Sequence, residues 1–164
     1  MFKLNYVVAK AEHFDDFFQL KSEHNSVYWS GFMTAPEPVK FKEYYSQELE
    51  RTDRTIILLY INKEIAGYVC IDNSRSYESV EISLGVRDKF TGNSLGKELI
   101  HFATNYTQSN LPQVKSLLAW ISVENYSSIK SFTRNEYIKS GAIELRKFQQ
   151  KKEKVTFVEY IYNL

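Results

Sequence analysis

Val80–Ala103, VEISLGVRDKFTGNSLGKELIHFA, is the stretch whose reading decides the fold. Val80, Ile82, Leu84 and Val86 point one way and Glu81, Ser83 and Gly85 the other, as on a strand. A turn over Asp88–Asn93 follows, and a helix is predicted from about Ser94 to Tyr106. Its Leu95, Leu99, Phe102, Ala103 and Tyr106 form one apolar stripe. Asn93 and Ser94 are residue types that cap helices. Gly92 and Gly96 let another molecule approach the backbone without a Cβ in the way. Helix N-termini carry unpaired N–H groups and a partial positive charge, so this junction suits an anion such as a pyrophosphate. It lacks the G-K-[ST] of nucleotide hydrolases and the dinucleotide G-x-G-x-x-G. On these residues alone, a turn that holds no ligand remains an equal reading.

Upstream, Phe2–Ala9 reads as a strand, Ala11–Glu23 as a helix, and Asn25–Pro38 as an aromatic loop carrying Tyr28, Trp29, Phe32 and Met33. Phe41–Leu49 is an amphipathic helix, and Thr55–Ile61 and Ile65–Ile71 flank a short hairpin connection. Downstream, Val114–Val123 is a strand, Ser127–Thr133 a helix, and Ile143–Phe148 with Val155–Tyr162 a terminal hairpin. Strands on both sides of helices predict one α/β domain over residues 1–164, a mixed sheet packed by helices.

Composition narrows the function. The 164 residues carry a net charge of +1, which offers no global field for nucleic acid. The lone Cys70, in an apolar strand, excludes an internal disulfide framework and reads as a core residue. His13, His24 and His101 show no metal-ligand spacing, so no metal is expected. The longest apolar run, Ile56–Ile61, is far short of the ~20 residues that span a bilayer. No signal peptide is evident, and a cytoplasmic protein without membrane contact is expected. Arg146, Lys147, Lys151, Lys152 and Lys154 read as a solvated hairpin turn.

From Val86 to Leu99 the chain resembles the acetyl-coenzyme A motif of the GNAT superfamily of N-acetyltransferases, V-x-P-x-x-[RQ]-G-x-G-[IL]-G-x-x-L. Val86, Gly92, Leu95, Gly96 and Leu99 match, while Asp88, Thr91 and Ser94 depart at the Pro, Arg/Gln and central Gly. Glu124–Tyr137 is similar to the family's E-N-x-x-[AS]-I-x-x-[YF]-x-K-x-G-[FY], with Asn125, Ser128, Ile129, Phe132 and Tyr137 in register and Glu136 at the Gly. The resemblance implies a GNAT-like mixed, mostly antiparallel sheet of about seven strands flanked by about four helices. It also implies direct acetyl transfer from acetyl-CoA, as co-substrate, to a primary amine of a small molecule (an amino sugar or amino acid) or of a protein.

Site roles follow from that resemblance. The pantetheine arm would pair along Leu84–Val86. The backbone amides of Gly92, Asn93, Ser94, Leu95 and Gly96 would take the pyrophosphate, with Thr91, Lys97, Asn125 and Ser128 also on the cofactor. Glu81 stands as general base or as a solvent-facing strand residue. Asn125 stands as a pantetheine contact, a cap of the late helix, or both. Phe132 occupies the place of the family's usual Tyr acid, which leaves Tyr126, Tyr137, water or an unaided thiolate. Tyr28, Trp29 and Phe32 stand as an acceptor wall or as core. A non-catalytic acyl-CoA-binding or interaction domain is the alternative function, and monomer and homodimer both remain open.

Overall fold

The computed structural model describes residues 2–164. Seven strands form one sheet in the order β1-β2-β3-β4-β5-β7-β6. They are β1 (Leu4–Val8), β2 (Arg54–Ile61), β3 (Glu64–Asp72), β4 (Ser79–Val86), β5 (Ser116–Ser122), β6 (Ile138–Arg146) and β7 (Val155–Asn163). Only the β4–β5 pair is parallel. The helices are α1 (Phe14–Lys21), α2 (His24–Trp29), α3 (Pro38–Glu50), α4 (Leu95–Asn110) and α5 (Tyr126–Thr133). None is long and apolar enough to cross a membrane.

The β2–β3 part of the sheet is buried on both faces, which explains why β2 reads as a continuous apolar run rather than an alternation, whereas the edge strand β6 is exposed. Ile57, Leu59 and Ile61 enter one core with Val69, Ile71, Val80 and Ile82, capped by Leu99 and Ile100 of α4 and Phe132 of α5. Ile56 and Leu58 enter the other with Tyr68 and Cys70, capped by Phe17 and Leu20 of α1 and Phe41 and Tyr45 of α3.

Three elements differ from expectation. The first helix opens with a separate 3-10 turn, Ala11–His13, where the Lys10 N–H donates to His13 Nδ1 at 2.9 Å. Residues expected as loop form α2, giving five helices rather than four. Gly31, at φ +80°, follows its end. The terminal hairpin begins five residues early, at Ile138 rather than Ile143, because β6 runs through an irregularity at Gly141, φ +99°, that local sequence reads as a break.

Candidate active site

β4 pairs with β3 from Glu81 to Val86, but with β5 only over Ser79–Ser116, Val80–Leu117 and Glu81–Leu118. β5 meanwhile stays paired with β7 as far as Ser122. Beyond Glu81 the two parallel strands therefore part. Leu84, Gly85 and Val86 on one side and Ala119–Ser122 on the other line a cleft of about 1040 Å³. One edge of β4 is left without a strand partner there, open to an extended molecule.

At one end the cleft meets the start of α4. Gly92 has φ +82° and nothing within 4 Å of where a Cβ would lie, so its backbone is open. Ser94 holds the position before the helix at φ +60°, with no cap from its hydroxyl. The Asn93 amide instead turns back, donating to the carbonyls of Phe90 (3.0 Å) and Thr91 (3.3 Å). No side-chain cap from Ser94 thus claims the first N–H groups of α4, and Ser94, Leu95, Gly96 and Lys97 face the cleft. Lys130 of α5 and Arg134, just past its end, line the same end. None of these three cations is paired with a carboxylate among the described residues, so the end suits a polyanion.

Two expectations change here. Asn93 holds the turn together and does not line the cleft. Gly96 is small for helix packing: a Cβ on it would lie 3.0 Å from Ser131 Oγ of α5. Asn125 Oδ1 accepts from Ser128 N–H at 3.2 Å and so caps α5, while both residues line the cleft with Thr91.

The turn is anchored from behind by contacts no local pattern reveals. Buried Arg87 bonds Glu23 (3.2 Å) and Glu64 (2.9 Å), and Glu23 also accepts from the Asp88 N–H at 3.0 Å.

At the other end, Glu81 and Ser83 line the cleft beside Cys70 and Tyr68 of β3. The Tyr68 ring covers Gly85 so closely that a Cβ there would sit 2.7 Å from it. Glu81 Oε2 lies 3.6 Å from Arg75. Burial pushes the Cys70 thiol up, so it stays protonated at neutral pH and is a poor nucleophile. Trp29 and Phe32 form part of the wall, but Tyr28 does not. Its ring packs edge-on against Trp29 (4.8 Å) and Phe148 (5.6 Å).

Arg146, Lys147 and Phe148 also line the cleft, which corrects the reading of these two cations as part of a solvated turn, whereas Lys151, Lys152 and Lys154 are exposed. Phe148 is buried against Gly31, Gln149 N–H donates to the Gly31 carbonyl at 3.2 Å, and the Gln150 amide bonds the Phe32 carbonyl. The early and late loops are tied together across this end.

Tyr137 is displaced from the candidate catalytic set. Its side chain is fully buried, its hydroxyl lies 3.0 Å from Thr104 Oγ1, and burial raises its pKa. Tyr126 is exposed and lies outside the cleft.

A strand edge without a partner, leading to an uncapped helix N-terminus, is the layout of an enzyme or carrier that grips a long molecule with an anionic head. The chain belongs to the acetyltransferase (GNAT) family, whose pattern residues 14–137 match. Among solved structures it is similar to the spermidine N-acetyltransferase of Vibrio cholerae in complex with CoA and spermine. That likeness has a TM-score of 0.85 at 13% identity, covering 98% of this chain and 95% of that one. It is also similar to the ribosomal-protein-alanine N-acetyltransferase of Brucella melitensis, with a TM-score of 0.80 at 16% identity over 98% and 99% of the chains. A GNAT-family acetyltransferase of Streptococcus pneumoniae gives 0.75 at 13% identity over 99% and 100%. At these identities the likeness speaks for the fold. No curated protein matches in sequence.

Proposed function

We propose that this protein transfers the acetyl group of acetyl-CoA directly to the primary amine of a small acceptor. The observation that carries the reading is the parting of β4 and β5 after Glu81, which opens a strand edge onto the start of α4. The pantetheine arm lies along Leu84–Val86, and the pyrophosphate meets the N–H groups of Gly92, Ser94, Leu95 and Gly96. Lys97, Lys130 and Arg134 offset its charge. Thr91, Asn125 and Ser128 complete this half of the cleft.

The chemistry needs an unprotonated amine, a polarised carbonyl and a leaving group. Glu81 takes the ammonium proton, directly or through water. The nitrogen lone pair then attacks the thioester carbon and an N–C bond forms; the nitrogen, now cationic, gives its second proton to water as the C–S bond breaks with its electron pair going to sulfur. An unpaired N–H on the β4 edge donates to the carbonyl oxygen as charge builds there. A thiol pKa near 8.5 lets sulfur leave as thiolate and take its proton from water, which suits a cleft where Phe132 stands and Tyr137 does not reach.

Thiol release from acetyl-CoA across a panel of primary amines tests the reading. Amine-dependent release supports it. Binding of acetyl-CoA with no release on any amine would favour the non-catalytic alternative.

A further inference from the structure

The acceptor half of the cleft has an unusual charge balance. Glu81 is the lone carboxylate among the residues lining the whole cleft, and Arg75 already stands beside it. Lys21, the last residue of α1, reaches the same floor from above. Its Nζ donates to the Tyr68 hydroxyl at 3.1 Å and lies 5.0 Å from the centre of that ring. The Tyr68 ring in turn covers Gly85 of β4, at the cleft wall. No carboxylate pairs with Lys21 among the described residues. Burial works to lower its pKa, while Tyr68 beside it, with Tyr44 and Cys70 nearby, works to raise it, and the net shift is upward.

Arg54, its neighbour across Cys70, is different. Its Nε donates to Cys70 Sγ at 2.8 Å and its NH1 is 2.9 Å from buried Glu48, so its charge is already met. Lys21 is left as an unmatched cation on the floor of the acceptor half, and no second acid stands ready for a polycation.

We propose that the acceptor is an amine that also carries an anionic group, carboxylate or phosphate, and that Lys21 holds that group. The proposal rests on the acetyl-transfer reading and adds the substrate class. A neutral amine would leave the lysine with only a phenol, and a polyamine would meet it with like charge. An anion replaces the lost hydration of the ammonium by a charge-assisted hydrogen bond.

Matched pairs test this on the CoA-saturated protein, by calorimetry and by kcat/KM with acetyl-CoA. One arm sets α-amino acids against their carboxamides; the other sets glucosamine 6-phosphate against glucosamine; spermidine is the polycation. The anionic member should bind about tenfold tighter or more in one arm. The arm that shows the gap identifies the anion as carboxylate or phosphate. Lys21→Met should erase the gap and Lys21→Arg should keep most of it. The wild-type comparison stands even where a variant fails to fold. Equal binding within both pairs, spermidine binding best, or no binding of any anionic probe at millimolar concentration would overturn the proposal. Each of these is seen with CoA bound, so it is distinct from failure of the acetyl-transfer reading, which would show as no binding of acetyl-CoA.

Discussion

Glu81 of β4 lies directly opposite Leu118 of β5, and this is the last pair the two parallel strands make. The carboxylate thus sits at the vertex where the sheet opens, on the cleft wall. As the proposed base, Glu81 carries a clear expectation. Glu81→Gln should lower kcat by ~10²–10⁴ and leave the Kd of acetyl-CoA unchanged, because backbone groups elsewhere hold that molecule. The deficit should shrink at high pH, where an amine of pKa near 10.4 loses its proton unaided. Unchanged turnover of the variant at neutral pH would remove Glu81 from the mechanism.

Tyr137 supplies the opposite expectation. Tyr137→Phe removes a buried hydroxyl that lies 3.0 Å from Thr104, whose own hydroxyl still donates to the Ile100 carbonyl at 2.8 Å. Stability should fall by about 1 kcal/mol, a drop in Tm of ~2–4 °C for a chain of this size. Turnover per folded molecule should not change. A loss of kcat without a loss of Tm would return Tyr137 to the chemistry.

Ser94 stands at φ +60° where the resembled motif has Gly. A left-handed residue with a Cβ costs ~1 kcal/mol, so Ser94→Gly should leave stability equal or slightly higher and keep acetyl-CoA binding. Ser94→Val puts a β-branched residue in that conformation and should lower both Tm and acetyl-CoA affinity. Thermal melts with and without acetyl-CoA separate the two outcomes, and a Val variant that binds normally would contradict this account of the turn.

Acid should weaken the fold through identifiable carboxylates. The Lys89 ammonium, with Arg87 beyond it, holds the Glu64 carboxyl below its usual range, and the Arg51 guanidinium does the same to Asp53. The backbone N–H groups of Lys40 and Val39 lower Glu37, the cap of α3. A group with a depressed folded-state pKa adds stability above its unfolded value, near 4, and loses it as pH falls through the folded value. Urea midpoints should therefore be flat above about pH 5 and drop below it. Glu64→Gln should make the drop shallower. Midpoints that hold steady from pH 5 to 3 would contradict these assignments.

What was legible in the sequence was local. The alternation of Val80–Val86, the open Gly92 and the stripe of α4 each depend on neighbours within a turn or two, and the structure keeps them. What was not legible depends on distant partners. The short helix α2 meets the late loop through Tyr28, whose ring packs on Phe148, 120 positions away in sequence. Arg146 reads as a surface charge until its guanidinium is seen 4.6 Å from the Phe157 ring. Glu136, at φ +67°, lies between α5 and Tyr137, whose side chain enters the core. Lys21 offers no signal at all, since its meaning comes from Tyr68 on another element.

The claim on which the rest depends is that the β4–β5 cleft takes acetyl-CoA, and thermal unfolding with added acetyl-CoA tests it most directly. A ligand of the folded state at 100 times its Kd stabilises by ≈ 2.7 kcal/mol, which here means a rise in Tm of roughly 5–10 °C. The account predicts that rise, growing with concentration. An unmoved Tm at millimolar acetyl-CoA would contradict it.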